Sequence, residues 1–165
     1  MLKEIKATEI KDNFTEIISN EWALLTAGDE KGYNTMTVSW GLAGELWGKD
    51  AVCVFVRPQR YTYEFMEKND YFTLSFYGSD SKSIHSVCGS KSGRDTDKAK
   101  ECGLEPVFDE GATYFKSARL VVVCKKQYAD DIKKENFCDS EPLSNYPKND
   151  FHRMYIGKIV KVLSK

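Results

Sequence analysis

The chain lacks the cysteine and histidine patterns that mark metal sites and dithiol redox centres. Its five cysteines include no CxxC pair and no spacing typical of zinc ligands. Its two histidines, His85 and His152, are far apart and have no obvious ligand partner, so we predict no metal site. Cys53 and Cys124 lie in apolar, strand-like runs and are expected to be buried free thiols, which is typical of the reducing cytosol.

Net charge and long apolar runs are also missing. The 24 Lys and Arg residues nearly balance the 25 Asp and Glu residues, for a net charge of −1. We therefore predict no nucleic-acid partner and no membrane partner, and any recognition of phosphate must be local. No apolar run approaches the length that spans a bilayer, and Met1–Lys6 is too charged for a signal peptide, so a cytoplasmic protein is expected.

The sequence does contain enough apolar residues for one substantial core. Its length of 165 residues and its 41% hydrophobic content predict a single domain over residues 1–165. The GxGxxG order of a dinucleotide-binding loop is absent, and strands do not alternate regularly with helices. A doubly wound parallel sheet is therefore not expected.

Seven segments have the composition or alternation of β-strands, at 22–28, 34–40, 52–57, 71–77, 113–115, 118–128 and 154–162. Short helices are expected at 11–20, 61–68, 83–88 and 96–102, with Asp12 or Asn13 capping the first and Asp95 capping the last. The glycine-rich segment 41–48 is interpreted as a bend. Most connections resemble hairpins, so we predict a mainly β protein, an antiparallel barrel of six or seven strands with helices in its connections.

The junction between the strand at 52–57 and the helix at 61–68 is the most informative segment. It places two guanidiniums and a hydroxyl, those of Arg57, Arg60 and Thr62, where a helix begins. Free backbone N–H groups and the positive end of the helix dipole suit a phosphate there, and arginine matches phosphate with paired donors. We expect these donors to lack protein partners. The alternative is that both arginines are ordinary surface residues and that Thr62 only caps the helix.

Four segments, in this order, resemble the flavin reductase-like family, which has the FMN-binding split-barrel fold. They are Asn34-Thr35-Met36-Thr37-Val38-Ser39-Trp40-Gly41, Arg57-Pro58-Gln59-Arg60-Tyr61-Thr62, Gly89-Ser90-Lys91-Ser92-Gly93-Arg94-Asp95-Thr96-Asp97-Lys98 and His152-Arg153-Met154-Tyr155-Ile156-Gly157. The resemblance covers roughly residues 22–162. It implies a six-stranded antiparallel split barrel, a homodimer, and FMN bound near the dimer interface.

The resemblance also implies which residues hold FMN. The isoalloxazine and ribityl groups would lie against Asn34, Met36, Thr37, Ser39 and Trp40. The phosphate would be held by Arg57, Arg60, Tyr61 and Thr62. Ser92, Gly93 and Lys98 would close the site from one loop.

Each of these groups has a plainer interpretation. Met36 and Trp40 could belong to the core, and Thr37 and Ser39 could be solvent-facing strand residues. The cations of the 89–98 loop, Lys91, Arg94 and Lys98, could form a solvated cluster. His152 could be a general acid beside the flavin or a polar residue at the start of an edge strand.

Two flavin functions and one structural function remain open at the level of sequence. The first is an NAD(P)H-dependent flavin reductase, in which hydride passes from nicotinamide to FMN and on to an electron acceptor. The second is an FMN-containing electron-transfer protein, similar to a flavoredoxin, without its own NAD(P)H site. The third is a barrel without a cofactor. The residues do not choose between NADH and NADPH, name the acceptor, or distinguish bound FMN from FMN that cycles as a substrate.

Overall fold

The computed structural model describes residues 1–165, with the side chain of Asp80 left out. Its strands are β1 (Lys3–Ile5), β2 (Ala23–Asp29), β3 (Gly32–Val38), β4 (Gly41–Leu46), β5 (Lys49–Val56), β6 (Tyr71–Phe76), β7 (Pro106–Asp109), β8 (Ala112–Phe115), β9 (Leu120–Asp131) and β10 (Arg153–Ser164). The α-helices are α1 (Phe14–Glu16), α2 (Tyr61–Lys68), α3 (Lys82–Ser90) and α4 (Lys98–Glu101). A π-helical turn, Ile17–Glu21, continues α1, and 3-10 turns form at Ala7–Glu9, Ser79–Ser81, Lys134–Asn136 and Glu141–Asn145.

The strands form an antiparallel sheet and a small separate hairpin. Within the described chain the main sheet has eight strands in the order β3-β2-β6-β9-β10-β5-β4, with β1 also paired to β10, and β7 pairs with β8. This confirms the mainly β, antiparallel class. The strand count differs from the predicted six because β1, β4 and β7 were not predicted, and the sheet is not a closed barrel.

The glycine-rich segment 41–48 is not the bend that its composition suggested. Residues Gly41–Leu46 form β4, which pairs with β5 from Gly41 opposite Val54 to Leu46 opposite Lys49. Glycine lowers strand propensity, but the backbone hydrogen bonds of a neighbouring strand override a weak local preference. The result is an edge strand whose Leu42 side chain is 64% exposed.

The core is built around β9, which lies between β6 and β10 as its two-sided apolar sequence predicted. All residues from Leu120 to Cys124 are buried. Gly157 of β10 faces Phe72 of β6, and a Cβ on Gly157 would stand 2.6 Å from that ring. The glycine therefore leaves the space that the phenyl ring fills in the core. Among the described residues, no helix is long and apolar enough to cross a membrane.

Helix boundaries follow local signals closely. Helix α2 covers the predicted residues 61–68. Asn13 caps α1 by accepting a hydrogen bond from the backbone N–H of Glu16 at 3.3 Å. The predicted cap Asp95 is wrong, because α4 begins two residues later than expected and Asp97 accepts the backbone N–H of Lys100 at 3.0 Å.

Candidate functional site

Two adjoining pockets lie where β3, the start of α2 and the α3–α4 loop meet. The first, which we call the β3 pocket, has a volume of about 200 Å³ and is lined by Met36, Thr37, Val38, Ser39, Trp40, Phe55, Arg57, Arg60 and His152. The second, the loop pocket, has a volume of about 180 Å³ and is lined by Gln59, Arg60, Tyr61, Thr62, Gly89, Ser90, Lys91, Ser92, Gly93 and Lys98. Arg60 lines both, so the two pockets adjoin at this side chain.

The structure therefore brings the residues predicted from the four sequence segments into one place. Eleven of them line the two pockets directly, and Asn34 lies beside Gly93 and Lys98 in a neighbouring cavity of about 320 Å³. Strand β3 ends at Val38, and the residues after it, Ser39 and Trp40, are exposed. Their side chains are thus available to a ligand.

The wall formed by β3 divides into buried and accessible side chains. Met36 is buried and belongs to the main core, as the alternative interpretation of this residue expected, although it also lines the β3 pocket. Trp40 is 44% exposed and is not a core residue. Thr37 is half-buried, and its hydroxyl donates to the backbone carbonyl of His85 at 2.8 Å, so it is not a free strand surface residue.

A buried hydrogen bond joins β3 to α2 behind the loop pocket. The Asn34 amide Nδ2 donates to the hydroxyl of Thr62 at 2.8 Å. Gly93 of the loop packs directly on this pair, because a Cβ at that position would stand 2.0 Å from Asn34 Oδ1. Thr62 therefore has a protein partner, contrary to the expectation from sequence. Its proton remains available to a further acceptor, since it accepts in this bond.

The loop pocket contains two cations without a counter-charge. Arg60 Nη2 and Lys98 Nζ each donate to the same backbone carbonyl, that of Cys88, at 3.2 Å. Among the described side chains no carboxylate forms an ion pair with either one. Lys98 is only 3% exposed, and burial together with the Arg60 charge lowers its pKa to about 8. Burial also lowers the pKa of Arg60. Two unpaired cations on one carbonyl, the buried Lys98 and the half-buried Arg60, make a fitting site for an anion.

The neighbouring cations of the same loop are already compensated. Lys91 pairs with Glu101, and Arg94 pairs with Glu64 at 2.5 Å and lies 4.6 Å from the centroid of the Tyr61 ring. Both side chains are close to half exposed. The interpretation as a solvated cluster thus fits Lys91 and Arg94 but not Lys98.

Arg57 differs from the sequence expectation. Its guanidinium forms an ion pair with Asp150 at 2.5 Å and donates to the backbone carbonyls of Asp150 and Asn145 at 3.2 and 2.9 Å. The expectation that its donors lack protein partners is wrong. These partners lie 88 to 93 residues away in the sequence, so no local pattern could indicate them.

His152 lies in the wall of the β3 pocket rather than on a sheet edge. It is 8% exposed, and its Nδ1 stands 2.9 Å from the hydroxyl of Tyr146. The Trp40 and Phe55 rings pack against it with centroid distances of 5.2 and 6.5 Å. Burial, with the nearby charge of Arg57, lowers the pKa of His152 to about 4. Tyr146 and Phe55 were missed from sequence, although Tyr146 is only six residues before His152.

The fold and the site define a class of protein: an open antiparallel split sheet with an aromatic-walled pocket that adjoins a cationic pocket. The chain belongs to the family described as flavin reductase like domain, which matches residues 16–164. FMN is the cofactor of this class, and the unpaired cations Arg60 and Lys98 fit its phosphate. A comparison with curated protein sequences found no match.

Solved structures show the same fold at low sequence identity. Flavoredoxin from Methanosarcina acetivorans is 21% identical with a TM-score of 0.69, and the match covers 99% of this chain and 76% of that one. An FMN-binding protein from Thermus thermophilus with bound p-hydroxybenzaldehyde is 18% identical with a TM-score of 0.69, covering 99% and 82%. A flavin reductase-like protein with a split barrel domain from Shewanella frigidimarina is 18% identical with a TM-score of 0.69, covering 96% and 76%. These matches confirm the split-barrel class.

Proposed function

We propose that this chain, as one domain over residues 1–165, is an NAD(P)H-dependent flavin reductase in which hydride passes from nicotinamide to FMN. The observation that carries the proposal is the pair of cations without a counter-charge, the half-buried Arg60 and the buried Lys98, on the single carbonyl of Cys88. A cation withdrawn from water without a counter-charge is costly, so a protein that holds a buried and a half-buried cation side by side gains when a phosphate binds between them.

The two pockets bind different parts of FMN. In the loop pocket the phosphate is bound by Arg60, Thr62 and Lys98, with Tyr61, Ser92 and Gly93 around it. In the β3 pocket the ring system lies along Met36, Thr37, Ser39 and Trp40, while Asn34 lies behind the loop pocket and donates to Thr62. Arg57 belongs to the ring side, because its contacts with Asp150 and Asn145 hold it beside His152.

FMN supplies the redox chemistry, since the flavin ring accepts a hydride and passes electrons to an acceptor. The chain's own side chains orient the ring and keep water from it. Trp40 and Phe55 provide apolar surface, and Thr37 is held in place by its bond to His85. Alignment of two rings in one pocket lowers the entropic part of the barrier without an acid–base group.

The proposal predicts that FMN binds at least tenfold more tightly than riboflavin. Riboflavin lacks the phosphate, and each charge-assisted hydrogen bond contributes about 1.5–3 kcal/mol. Titration of the protein with each flavin, followed by flavin fluorescence, measures both affinities. Equal affinities would contradict the phosphate site. Anaerobic addition of NADH and of NADPH to the FMN-loaded protein then tests the reductase activity by bleaching of the flavin absorption.

The alternative is an FMN-containing electron-transfer protein without its own NAD(P)H site. The fold similarity to the Methanosarcina acetivorans flavoredoxin favours this second candidate. It uses the same pockets and the same phosphate contacts. Tight FMN binding without bleaching by either nucleotide would select it over the reductase.

We also propose that two copies of the chain associate through the outer face of β4, β5 and β10. This face carries an apolar groove of about 380 Å³, lined mainly by Leu42, Ala43, Leu46, Ala51, Val52, Cys53, Phe55, Met154 and Ile156. Phe55 also lines the β3 pocket, so a partner on this face would lie next to the flavin site. Exposed apolar patches of this kind mark protein interfaces.

The five free cysteines support a reducing compartment such as the cytoplasm.

Replacing Leu42 by lysine is expected to convert a dimer into a monomer. The new ammonium would have to be buried unpaired in the centre of the interface, which opposes association. Light scattering of wild type and variant at micromolar concentration measures the mass. The matched control is Val160→Lys, since Val160 is 43% exposed and lies outside the groove. A monomeric wild type with bound FMN would contradict the dimer.

A further inference from the structure

We propose that Tyr146 is a positioning residue that fixes the tautomer of His152, so that His152 presents Nε2–H to the β3 pocket as a neutral hydrogen-bond donor. The group it would recognise is a carbonyl oxygen of a planar ring bound in that pocket. The ligand part of this inference rests on the proposed function. The tautomer itself is a property of the chain alone.

The contact between the two side chains is buried and held from several sides. Tyr146 and His152 are each 8% exposed, and Tyr146 Oη stands 2.9 Å from His152 Nδ1. The Tyr146 ring packs on Phe151 with a centroid distance of 4.7 Å and on Phe137 at 6.2 Å. The backbone carbonyl of His152 accepts a hydrogen bond from Ile132 N at 2.9 Å. These contacts hold the two rings next to each other.

The chemistry of the two groups sets the direction of their hydrogen bond. A phenol O–H is a stronger acid than a neutral imidazole N–H, and an imidazole nitrogen is a stronger base than a phenol oxygen. The favoured arrangement is therefore Tyr146 O–H donating to His152 Nδ1. Because a neutral imidazole carries one proton, that proton must then be on Nε2.

The charges around His152 keep it neutral. The Arg57 guanidinium lies 5.1 Å from the centroid of the Tyr146 ring and opposes a second positive charge. The carboxylate of Asp150, which could favour an imidazolium, is already paired with Arg57 and accepts from Gln59 at 2.9 Å. With burial added, the pKa of His152 falls to about 4, so the ring is neutral at physiological pH.

A neutral, fixed donor has a different use from a general acid. His152 lines the β3 pocket, and none of the described residues forms a hydrogen bond with its Nε2. An imidazolium that gives up its proton would require a pKa nearer to 7. We therefore assign His152 to orienting a ring carbonyl beside Trp40, and not to protonating it.

Nitrogen-15 NMR of the 165-residue chain without FMN tests the tautomer, because only two histidines contribute imidazole signals. A His152→Gln variant assigns the signals. We expect an acceptor-type shift for Nδ1, a protonated-type shift for Nε2, and no titration of His152 between pH 5.5 and 9. In Tyr146→Phe the fixed tautomer should be replaced by a mixture of both. Tyr128→Phe is the matched control, since its hydroxyl donates to Asp130 in the exposed C-terminal half of β9, and it should leave both signals unchanged.

A protonated Nδ1 in wild type, or an unchanged spectrum in Tyr146→Phe, would overturn the inference. Addition of FMN tests the ligand part. The Nε2 signal should shift, and Tyr146→Phe should weaken FMN binding about twofold to tenfold, as for the loss of one neutral hydrogen bond. If FMN bound without shifting the Nε2 signal, His152 would not donate a hydrogen bond to it. If FMN did not bind at all, the proposed function would fail while the tautomer result would still stand.

Discussion

Replacing both Arg60 and Lys98 by glutamine is expected to weaken FMN binding by several hundredfold or more while leaving riboflavin binding nearly unchanged. Each cation makes a charge-assisted contact with phosphate, and a contact of that kind contributes about 1.5–3 kcal/mol. The single variants should each lose about tenfold to a hundredfold. Fluorescence titration with FMN and with riboflavin measures the effect. Removal of two unpaired cations, one of them buried, should also raise the melting temperature of the protein without ligand.

The control for this result is Arg94→Gln in the same loop. Arg94 is already paired with Glu64 and packed on Tyr61, so its loss should change FMN affinity by less than about threefold. A double variant that keeps wild-type affinity would show that the phosphate does not bind between Arg60 and Lys98. An Arg94 variant with an equal loss would show that the effect is general attraction, without a specific site.

The affinity for FMN is also expected to depend on pH, through the protonation of Lys98. With a pKa of about 8, Lys98 in the free protein is protonated below that pH and becomes neutral as the pH rises through it. FMN affinity should therefore fall between pH 7.5 and 9.5 in wild type. Bound phosphate favours the protonated form, so the bound state takes up a proton in this range. The Lys98→Gln variant should show no such decline, because Arg60 stays charged.

Replacing Gly93 by alanine is the second change with a large expected effect. The new methyl group would stand 2.0 Å from Asn34 Oδ1 and 3.1 Å from Tyr61 Cδ1. The Asn34 side chain must move, which breaks its buried bond to Thr62, or the loop must move away from the pocket. We expect FMN affinity to fall at least tenfold and the free energy of unfolding to fall by about 1–3 kcal/mol. Titration with FMN and thermal unfolding measure the two effects.

Two further variants make this prediction specific. Gly32→Ala is the matched control, since a Cβ there makes only an ordinary contact, 3.9 Å from Phe65 Cε1, and Gly32 lies outside the β3 pocket, the loop pocket and the proposed dimer face; it should leave stability and FMN affinity nearly unchanged. Asn34→Ala should cost less affinity in the Gly93→Ala protein than in wild type, because the methyl group then enters the space that Asn34 vacates. If the two substitutions lowered FMN affinity additively, the contact between residue 93 and Asn34 would not be the cause of the loss.

Elements defined by local signals could be predicted from the sequence, and elements that depend on a neighbour could not. Helix α2 was predicted at its observed bounds, since its start and stop signals lie within the segment itself. Strand β9 was correctly predicted to be central, because a run that is apolar on both faces must be buried on both. Strand β4 was missed, since its glycines argue against a strand and only its pairing with β5 makes it one.

The candidate site divides in the same way. Four separated segments contain nearly every residue that lines the two pockets, because the residue types that suit phosphate and a flat ring can be recognised in the chain itself. Tyr146, by contrast, reaches the site through an irregular segment with no such signal. Its importance depends on a contact with His152 that the residue types alone do not specify.

The sequence by itself determined the fold class, the family and the segments that meet at the cofactor. Only the tertiary structure decided which cations are free to bind phosphate. Arg57 and Arg60 are equivalent as residue types, yet Arg57 is held by Asp150 and Asn145 while Arg60 shares a carbonyl with the buried Lys98. The physical reason is that charge and hydrogen-bonding capacity belong to a side chain, but its partners and its burial depend on chain segments tens of residues away.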